Sequence, residues 1–218
     1  MIEALPGGDL QAGLPAGAWW NLNLPKEDLA GKTIRIDALH DSTGTRLTEL
    51  VPTKLTEANR YKDSLFRISS RLALPLPGVW TFQIYLDDLS TGSVDIEVPD
   101  GSWEPSTAFR SGTFEMTGVP DKLGILGPNF VAGKPNKYMW HFWGEPEKLT
   151  GQLEISAMKQ GTNTLLSLFH AQLAPGKLNG ADASMPSNLM LPSEGRWRLL
   201  AFIDGELLGS IVVDVAAQ

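Results

Sequence analysis

The sequence predicts an all-β protein built as two tandem sandwich domains. Three observations carry that expectation: a length near twice that of one sandwich, short alternating apolar runs throughout, and an internal repeat. At 218 residues the chain has room for two domains of about 100 residues each, the usual size of a β-sandwich. Each half can bury a core of its own. Alternating or β-branched runs recur between Gly, Pro, Asn and Asp punctuation, and no long window keeps a helical period.

The repeat is read first, because it governs every later assignment. Residues 74–98 lie on 191–215 without a gap, matching Leu74/Leu191, Pro75/Pro192, Gly78/Gly195, Trp80/Trp197, Asp87/Asp204, Gly92/Gly209, Ser93/Ser210 and Val98/Val215. A second ungapped block joins 1–31 to 121–151 through Gly7/Gly127, Ala12/Ala132, Gly13/Gly133, Pro15/Pro135, Trp20/Trp140, Glu27/Glu147, Leu29/Leu149 and Gly31/Gly151. The offset falls from 120 to 117 between the blocks, which places the length differences around 41–68 and 160–185. Those stretches are expected to be loops, where insertions cost little. The expected domains are therefore 1–98 and 108–218, joined by a short Pro-containing linker of limited freedom, 99–107. Met1 aligns with Asp121, so the first copy has no counterpart of 106–120, in which Thr113–Met116 reads as an opening strand. Two explanations stand open: a chain cut from a longer precursor, or a first domain with a shorter first strand.

In the first copy strands are expected at 17–23, 33–39, 46–50, 66–74, 79–86 and 92–98. In the second they are expected at 112–117, 122–126, 137–143, 152–158, 164–169, 187–191, 196–203 and 207–215. Asp204-Gly205 between the last two has the chemistry of a tight hairpin turn. Before that hairpin, Leu-Pro-x-x-Gly-x-Trp resembles the corner that leads into the penultimate strand of immunoglobulin-like domains, where a tyrosine usually sits. Trp80 and Trp197 take its place and are expected to plug the two cores. The fold class expected is all-β, as two immunoglobulin-like β-sandwiches.

Composition narrows the partners. The net charge of −7 is shared, with 9 basic and 13 acidic residues in 1–98 and 9 and 12 in 99–218. Neither half offers the basic face that phosphate binding needs, so nucleic acid is not an expected partner. No stretch approaches the roughly 20 apolar residues of a membrane span. There is no cysteine, which removes disulfides, thiolate metal sites and cysteine nucleophiles together. The opening residues Met1–Gly8 carry neither a basic segment nor an apolar core and do not read as a signal peptide.

The densest aromatic cluster is Lys137–Gly144. On a strand, Tyr138, Trp140 and Phe142 face one side and Met139, His141 and Trp143 the other. Trp140 and Phe142 map onto Trp20 and Leu22, apolar in both copies and so core. His141 and Trp143 map onto Asn21 and Asn23, a surface in the first copy, and could form a stacking platform for a sugar or peptide; the alternative is that a loop or neighbouring domain covers them. Asn179 and Asp182 in Asn179–Ser184 add oxygen donors nearby in sequence. They lack the spacing of an EF-hand loop and are also ordinary turn formers, so no metal is expected. Asp87-Asp88 at the place of Asp204-Gly205 likewise fits turn chemistry. His40, His141 and His170 fall in separate segments with no H-E-x-x-H, no G-x-S-x-G elbow occurs, and Gly7-Gly8 and Gly127-Pro128 open no helix. Neither an enzyme nor a cofactor is expected.

Lys137–Gly144, Leu149-Thr150-Gly151, Asn179–Ala183, Leu191-Pro192, Gly195, Trp197 and Gly209–Val213 together resemble an uncharacterised domain-of-unknown-function family of Bacillus-type bacteria. The resemblance spans about 108–218, and the first copy joins it only through the repeat. It implies a secreted or lipoprotein setting, extracellular or attached to the cell surface, and carries over no site. The function expected is a non-catalytic extracytoplasmic binding or adhesion module for a protein, peptide or cell-wall glycan. Two alternatives stay open: a structural or assembly domain, and an inhibitor of an extracellular protease.

Overall fold

The computed structural model describes residues 1–24, 29, 31–62 and 65–218; Glu27, one of the repeat matches, lies outside them. The chain divides into two compact units, Met1–Gly101 and Ser102–Gln218. Both are all-β.

Unit 1 contains β1 (Ile2–Pro6), β2 (Ala18–Leu22), β3 (Thr33–His40), β4 (Arg46–Lys54), β5 (Arg60–Lys62), β6 (Leu65–Ser70), β7 (Gly78–Leu86) and β8 (Leu89–Val98). One sheet runs β1-β2-β6-β5 and the other β4-β3-β7-β8. Along β3 every second residue is buried, which is the period-2 pleat at work. Ile34, Ile36 and Ala38 enter the core while Arg35 and Asp37 turn outward. Trp20 meets Phe82 there at 5.2 Å between ring centroids.

Unit 2 contains β9 (Ala108–Ser111), β10 (Phe114–Val119), β11 (Leu123–Leu126), β12 (Phe130–Val131), β13 (Asn136–Phe142), β14 (Gly151–Lys159), β15 (Leu166–Leu173), β16 (Pro175–Leu178), β17 (Ala181–Leu189), β18 (Gly195–Ile203) and β19 (Glu206–Ala216). Its sheets run β16-β17-β13-β11-β10-β9 and β12-β19-β18-β14-β15. Trp140, Phe142, Leu153, Ile155, Leu199 and Ile211 pack between them. The near-continuous apolar run of β18, Trp197–Ile203, is buried on both faces, as such runs are where a strand has no water-facing side.

Several internal bonds recur at matched positions. The Trp80 indole donates to Leu76 O at 3.0 Å and the Trp197 indole to Ser193 O at 2.9 Å. Trp20 donates to Ser70 Oγ at 2.9 Å and Trp140 to Ser187 Oγ at 3.2 Å. Gly13 N–H reaches Leu74 O, and Gly133 N–H reaches Leu191 O, both at 2.8 Å. The β7–β8 and β18–β19 hairpins each turn on two residues of positive φ, Asp87-Asp88 and Asp204-Gly205, the requirement of a two-residue primed turn. Each leading aspartate then fastens the neighbouring strand: Asp87 Oδ1 accepts Thr33 N–H at 2.9 Å, and Asp204 Oδ1 accepts Gln152 N–H at 2.7 Å. The Thr33 N–H and the Lys32 ammonium hold the Asp87 carboxyl below its ordinary range.

Three expectations are corrected. The stretches read as loops hold, beyond the strands expected at 46–50, 66–74 and 164–169, the strand β5 in 41–68 and β16 with the first half of β17 in 160–185. Their weak alternation hides them, since edge strands such as β16, exposed throughout, need no apolar face. Residues 102–106, read as linker, are bound to unit 2: Arg196 Nη1 donates to Trp103 O at 2.9 Å, the Arg198 guanidinium lies 4.1 Å from the Trp103 ring centre, and Ser106 N–H donates to Val212 O at 2.9 Å. Asp182 stands on β17, beyond the Asn179-Gly180 turn and not in a loop. In unit 1 the sheet ends at β1, which pairs with β2 as β11 pairs with β13; the described residues there hold no counterpart of β9 and β10.

Gly151 has φ 141°, and a Cβ there would stand 2.2 Å from Asp204 Oδ2. Gly31, its repeat partner at φ 81°, faces open space. Gly151→Ala is therefore expected to cost about 2 kcal/mol or more, and Gly31→Ala about 1 kcal/mol from backbone conformation alone. Urea unfolding of the full chain measures both, and equal losses would refute the role given to the Asp204 contact.

Candidate functional site

The structure gathers the four residues singled out from sequence at one corner of unit 2. Strand β13 delivers His141 and, just past its end, Trp143; the β16–β17 hairpin delivers Asn179 and Asp182. Asn179 and Gly180 have φ 53° and 85°, so this hairpin too turns on two positive-φ residues. Asn179 Nδ2 lies 3.1 Å from His141 Nε2, and His141 Nδ1 lies 3.2 Å from Met139 O. The two contacts fit one tautomer, with Nδ1–H donating to the carbonyl and Nε2 accepting from the amide. The Trp143 indole donates to Gly180 O at 2.8 Å, and Gly144 N–H donates to Asp182 Oδ2 at 3.1 Å.

Strand β9 closes the corner. Phe109 meets Trp143 edge-on at 5.8 Å and sits over Gly124, where a Cβ would come within 2.9 Å of the ring. Ser111 Oγ donates to Asn179 O at 2.7 Å, so the end of the β9–β10 hairpin is tied to the β16–β17 turn. His141 is fully buried beneath these groups, and its ring offers no face to a ligand. The sequence left open that a loop or the neighbouring domain covers this face; the cover is instead β9, a strand of only four residues. Burial holds the His141 pKa below its ordinary value, with the Met139 carbonyl opposing the shift. The corner's polar groups answer one another, so it works as a clasp.

A different face is open. In unit 1 the outward side of β4, β3 and β7 forms a trough of about 430 Å³ lined by Arg35, Asp37, Arg46, Thr48, Gln83 and Tyr85, among others. The Arg35 guanidinium lies 4.1 Å from the Tyr85 ring centre and pairs with Asp37. Thr48 Oγ1 donates to Asp37 Oδ1 at 3.4 Å, while Gln83 Nε2 donates to Ser90 Oγ at 2.8 Å and Gly92 O at 2.7 Å. Charges of both signs meet here: Arg35 and Arg46 stand with Asp37, and the trough's Thr81 donates to Asp41 at 3.1 Å and Asp95 at 2.8 Å. None of these residues drew notice in the sequence, although a signal was present. The repeat sets Thr81, Gln83 and Tyr85 against Arg198, Leu200 and Phe202, and Leu200 and Phe202 are buried. Among the described residues no group of three or more His, Asp or Glu side chains is placed to hold a metal ion, and no helix is long and apolar enough to cross a membrane.

A family model described as a domain of unknown function, DUF4871, matches residues 94–213 of the 218. The chain belongs to this family. Of solved structures, a candidate lipoprotein from Bacillus anthracis is similar at 26% identity and a TM-score of 0.45, over 53% of this chain and 88% of the other. A superoxide reductase (neelaredoxin) from Ignicoccus hospitalis is similar at 16% identity and a TM-score of 0.33, over 44% and 80%. Invasin, a bacterial integrin-binding protein, is similar at 13% identity and a TM-score of 0.29, over 100% and 40%. No curated protein matches the sequence.

The DUF4871 match takes in the whole His141 clasp, whereas the trough of unit 1 lies outside it. The clasp also has a pH signature. Because the folded pKa of His141 lies below the ordinary 6.5, the unfolded chain binds the proton more readily, and stability falls as pH drops through the histidine range. Thermal melts from pH 7.5 downward should show that loss in the wild type and a flatter profile in His141→Gln. Identical profiles would mean the imidazole is not held neutral.

Proposed function

We propose that the chain is a non-catalytic binding module that works outside the cytoplasm and holds a glycan segment, such as one from a cell wall, in the unit 1 trough. The observation that carries this reading is the composition of that face. A sheet side turned to solvent needs only scattered polar residues. Here Arg35, Asp37, Arg46, Thr48 and Gln83 converge around one depression of about 430 Å³ with the Tyr85 ring beside them. Such a density of donors and acceptors, with charges of both signs, suits a neutral, hydroxyl-rich ligand.

The trough's threonine hydroxyls are part of its hydrogen-bonded surface: Thr48 donates to Asp37, and Thr81 to Asp41 and Asp95. The extracytoplasmic setting draws on the family resemblance, and with no cysteine in the chain no disulfide supports either unit. Each unit must then be stable by its core alone.

Binding of the full chain to immobilised cell-wall glycan fragments and to a peptide panel tests the reading. Arg46→Ala and Tyr85→Ala are each expected to weaken glycan binding about tenfold; Arg46 is exposed and its loss should leave the melting temperature unchanged, whereas Tyr85 is half-buried against Arg35 and its loss should lower it slightly. Peptide binding unaffected by either change would move the site elsewhere. Absence of any binding would remove the reading.

A further inference from the structure

The outer face of the other sheet of unit 1 carries exposed aromatic rings beside a fixed cation. Strand pairing sets Glu3, Asn21 and Arg67 in one row across β1, β2 and β6, and Leu5, Trp19 and Ser69 in the next. Trp19 is 52% exposed, as is Tyr61 on β5, and Leu5 opposite Trp19 is exposed too. Arg67 lies between the two rings, its guanidinium 3.7 Å from the Tyr61 ring centre and 5.8 Å from that of Trp19.

The scaffold does not ask for these side chains. Unit 2 builds the matching strands with Met139 and Pro186 in the places of Trp19 and Ser69, and with Ser184 in that of Arg67. Leaving a tryptophan half in water beside an exposed leucine gains nothing for folding, and an apolar patch rimmed by polar groups is the mark of a contact surface.

Arg67 is held before any ligand arrives. Its Nε donates to Asn21 Oδ1 at 2.8 Å, and the buried Asn21 in turn donates from Nδ2 to Glu3 Oε2 at 2.9 Å. Nη1 and Nη2 have no hydrogen bond or ion pair among the described residues. The end of the fork therefore stays open, in the geometry that takes a carboxylate through two parallel bonds. Glu3, the acid of this row, is engaged by Asn21, while Lys62, 5.5 Å from the Tyr61 ring centre, adds a second positive charge. With Tyr61 taken up by Arg67, Trp19 is the ring free to stack, and the C–H face of a sugar packs on an indole as other flat apolar surfaces do.

An open sheet face encloses nothing, so it suits an extended polymer, which gathers contacts along its length, better than a small molecule. Nucleic acid needs a basic stripe, and Arg67 and Lys62 in a chain of net charge −7 do not make one. An extended peptide is read through a strand edge or through pockets for its side chains, whereas Trp19 and Arg67 stand on the two inner strands of their sheet. We propose that this face binds an acidic glycan, with one sugar ring lying on the Trp19 indole and its carboxylate held by Nη1 and Nη2 of Arg67. The site is on the opposite sheet from the trough and takes a charged ligand where the trough takes a neutral one, so each can fail alone.

Trigalacturonate and its methyl ester share one sugar chain and differ in charge, which makes them matched probes. In titrations of the ¹⁵N-labelled full chain at low salt, trigalacturonate should shift the Trp19 indole N–H and the amides of Asn21 and Arg67. It should bind about three- to tenfold more tightly than the ester, and that preference should shrink at about 0.5 M salt. Arg67→Gln should remove the preference, and Arg67→Lys, which keeps the charge and gives up the fork, should retain only part of it. Trp19→Ala, at a half-exposed position, should weaken both probes about tenfold, and Arg46→Ala in the trough should change neither. A Trp19 signal that neither probe moves, or equal binding of acid and ester by the wild type, would overturn the proposal. Acid binding lost with Arg46 and kept without Trp19 would also overturn it, while leaving the trough as a glycan site. Triglutamate shifting the same signals as strongly would reveal a site for charge alone, and would sink it too.

Discussion

Trp140 lies wholly buried between the two sheets of unit 2. Burying an indole removes on the order of 200 Å² from water, roughly 5 kcal/mol of transfer free energy, but leaving its N–H unpaired would return about 1–3 kcal/mol of that. Ser187 on the next strand accepts the N–H. The same strand pairing sets Tyr138 opposite Ser187 and His141 opposite Ser184, and a slip of one residue would turn every side chain to the wrong face. With the register held, the β16–β17 turn stands beside the end of β13. Asn179 then meets His141, Gly180 meets Trp143, and β9 is tied down through Ser111. The clasp is thus a consequence of how one tryptophan is buried. Unit 1 solves the same problem with Trp20 and Ser70, and its Asn21, at the position of His141 and read from sequence as surface, is buried too and bonds Glu3 and Arg67.

The matched faces of the second sheets have different energetics. In unit 2, Met158, Leu200, Phe202 and Val212 are buried on the side away from the core, and Arg198 is held against Trp103. In unit 1 the corresponding side stays open and carries Leu39, Gln83, Tyr85 and Asp95, with Arg35 and Asp37 paired across it. Its surface ion pairs contribute little to stability. A polar face that is not needed for folding is free to be shaped by what it contacts.

Several features were legible in the order of residues. Asp204-Gly205 marks a hairpin because positive φ at both positions suits few other pairs, and the structure has both. Trp20, Trp80, Trp140 and Trp197 read as core, and all four are buried. His141, Trp143, Asn179 and Asp182 were singled out separately and do meet. Their purpose was not legible, because Phe109 and Ser111 cover them from a strand too short and too mixed in pattern to register. The trough was missed for the opposite reason: outward residues on a good alternating strand look like ordinary solvated surface until three strands set them side by side.

The sequence by itself determined the all-β class, the tryptophan positions and the turns, since each depends on chemistry local to a few residues: pleat alternation, indole size, and backbone freedom at Gly, Asn and Asp. Only the tertiary structure decided which polar groups are spent on the protein and which remain available. That distinction rests on partners far away in sequence, such as Asn179 for His141 and Ser187 for Trp140.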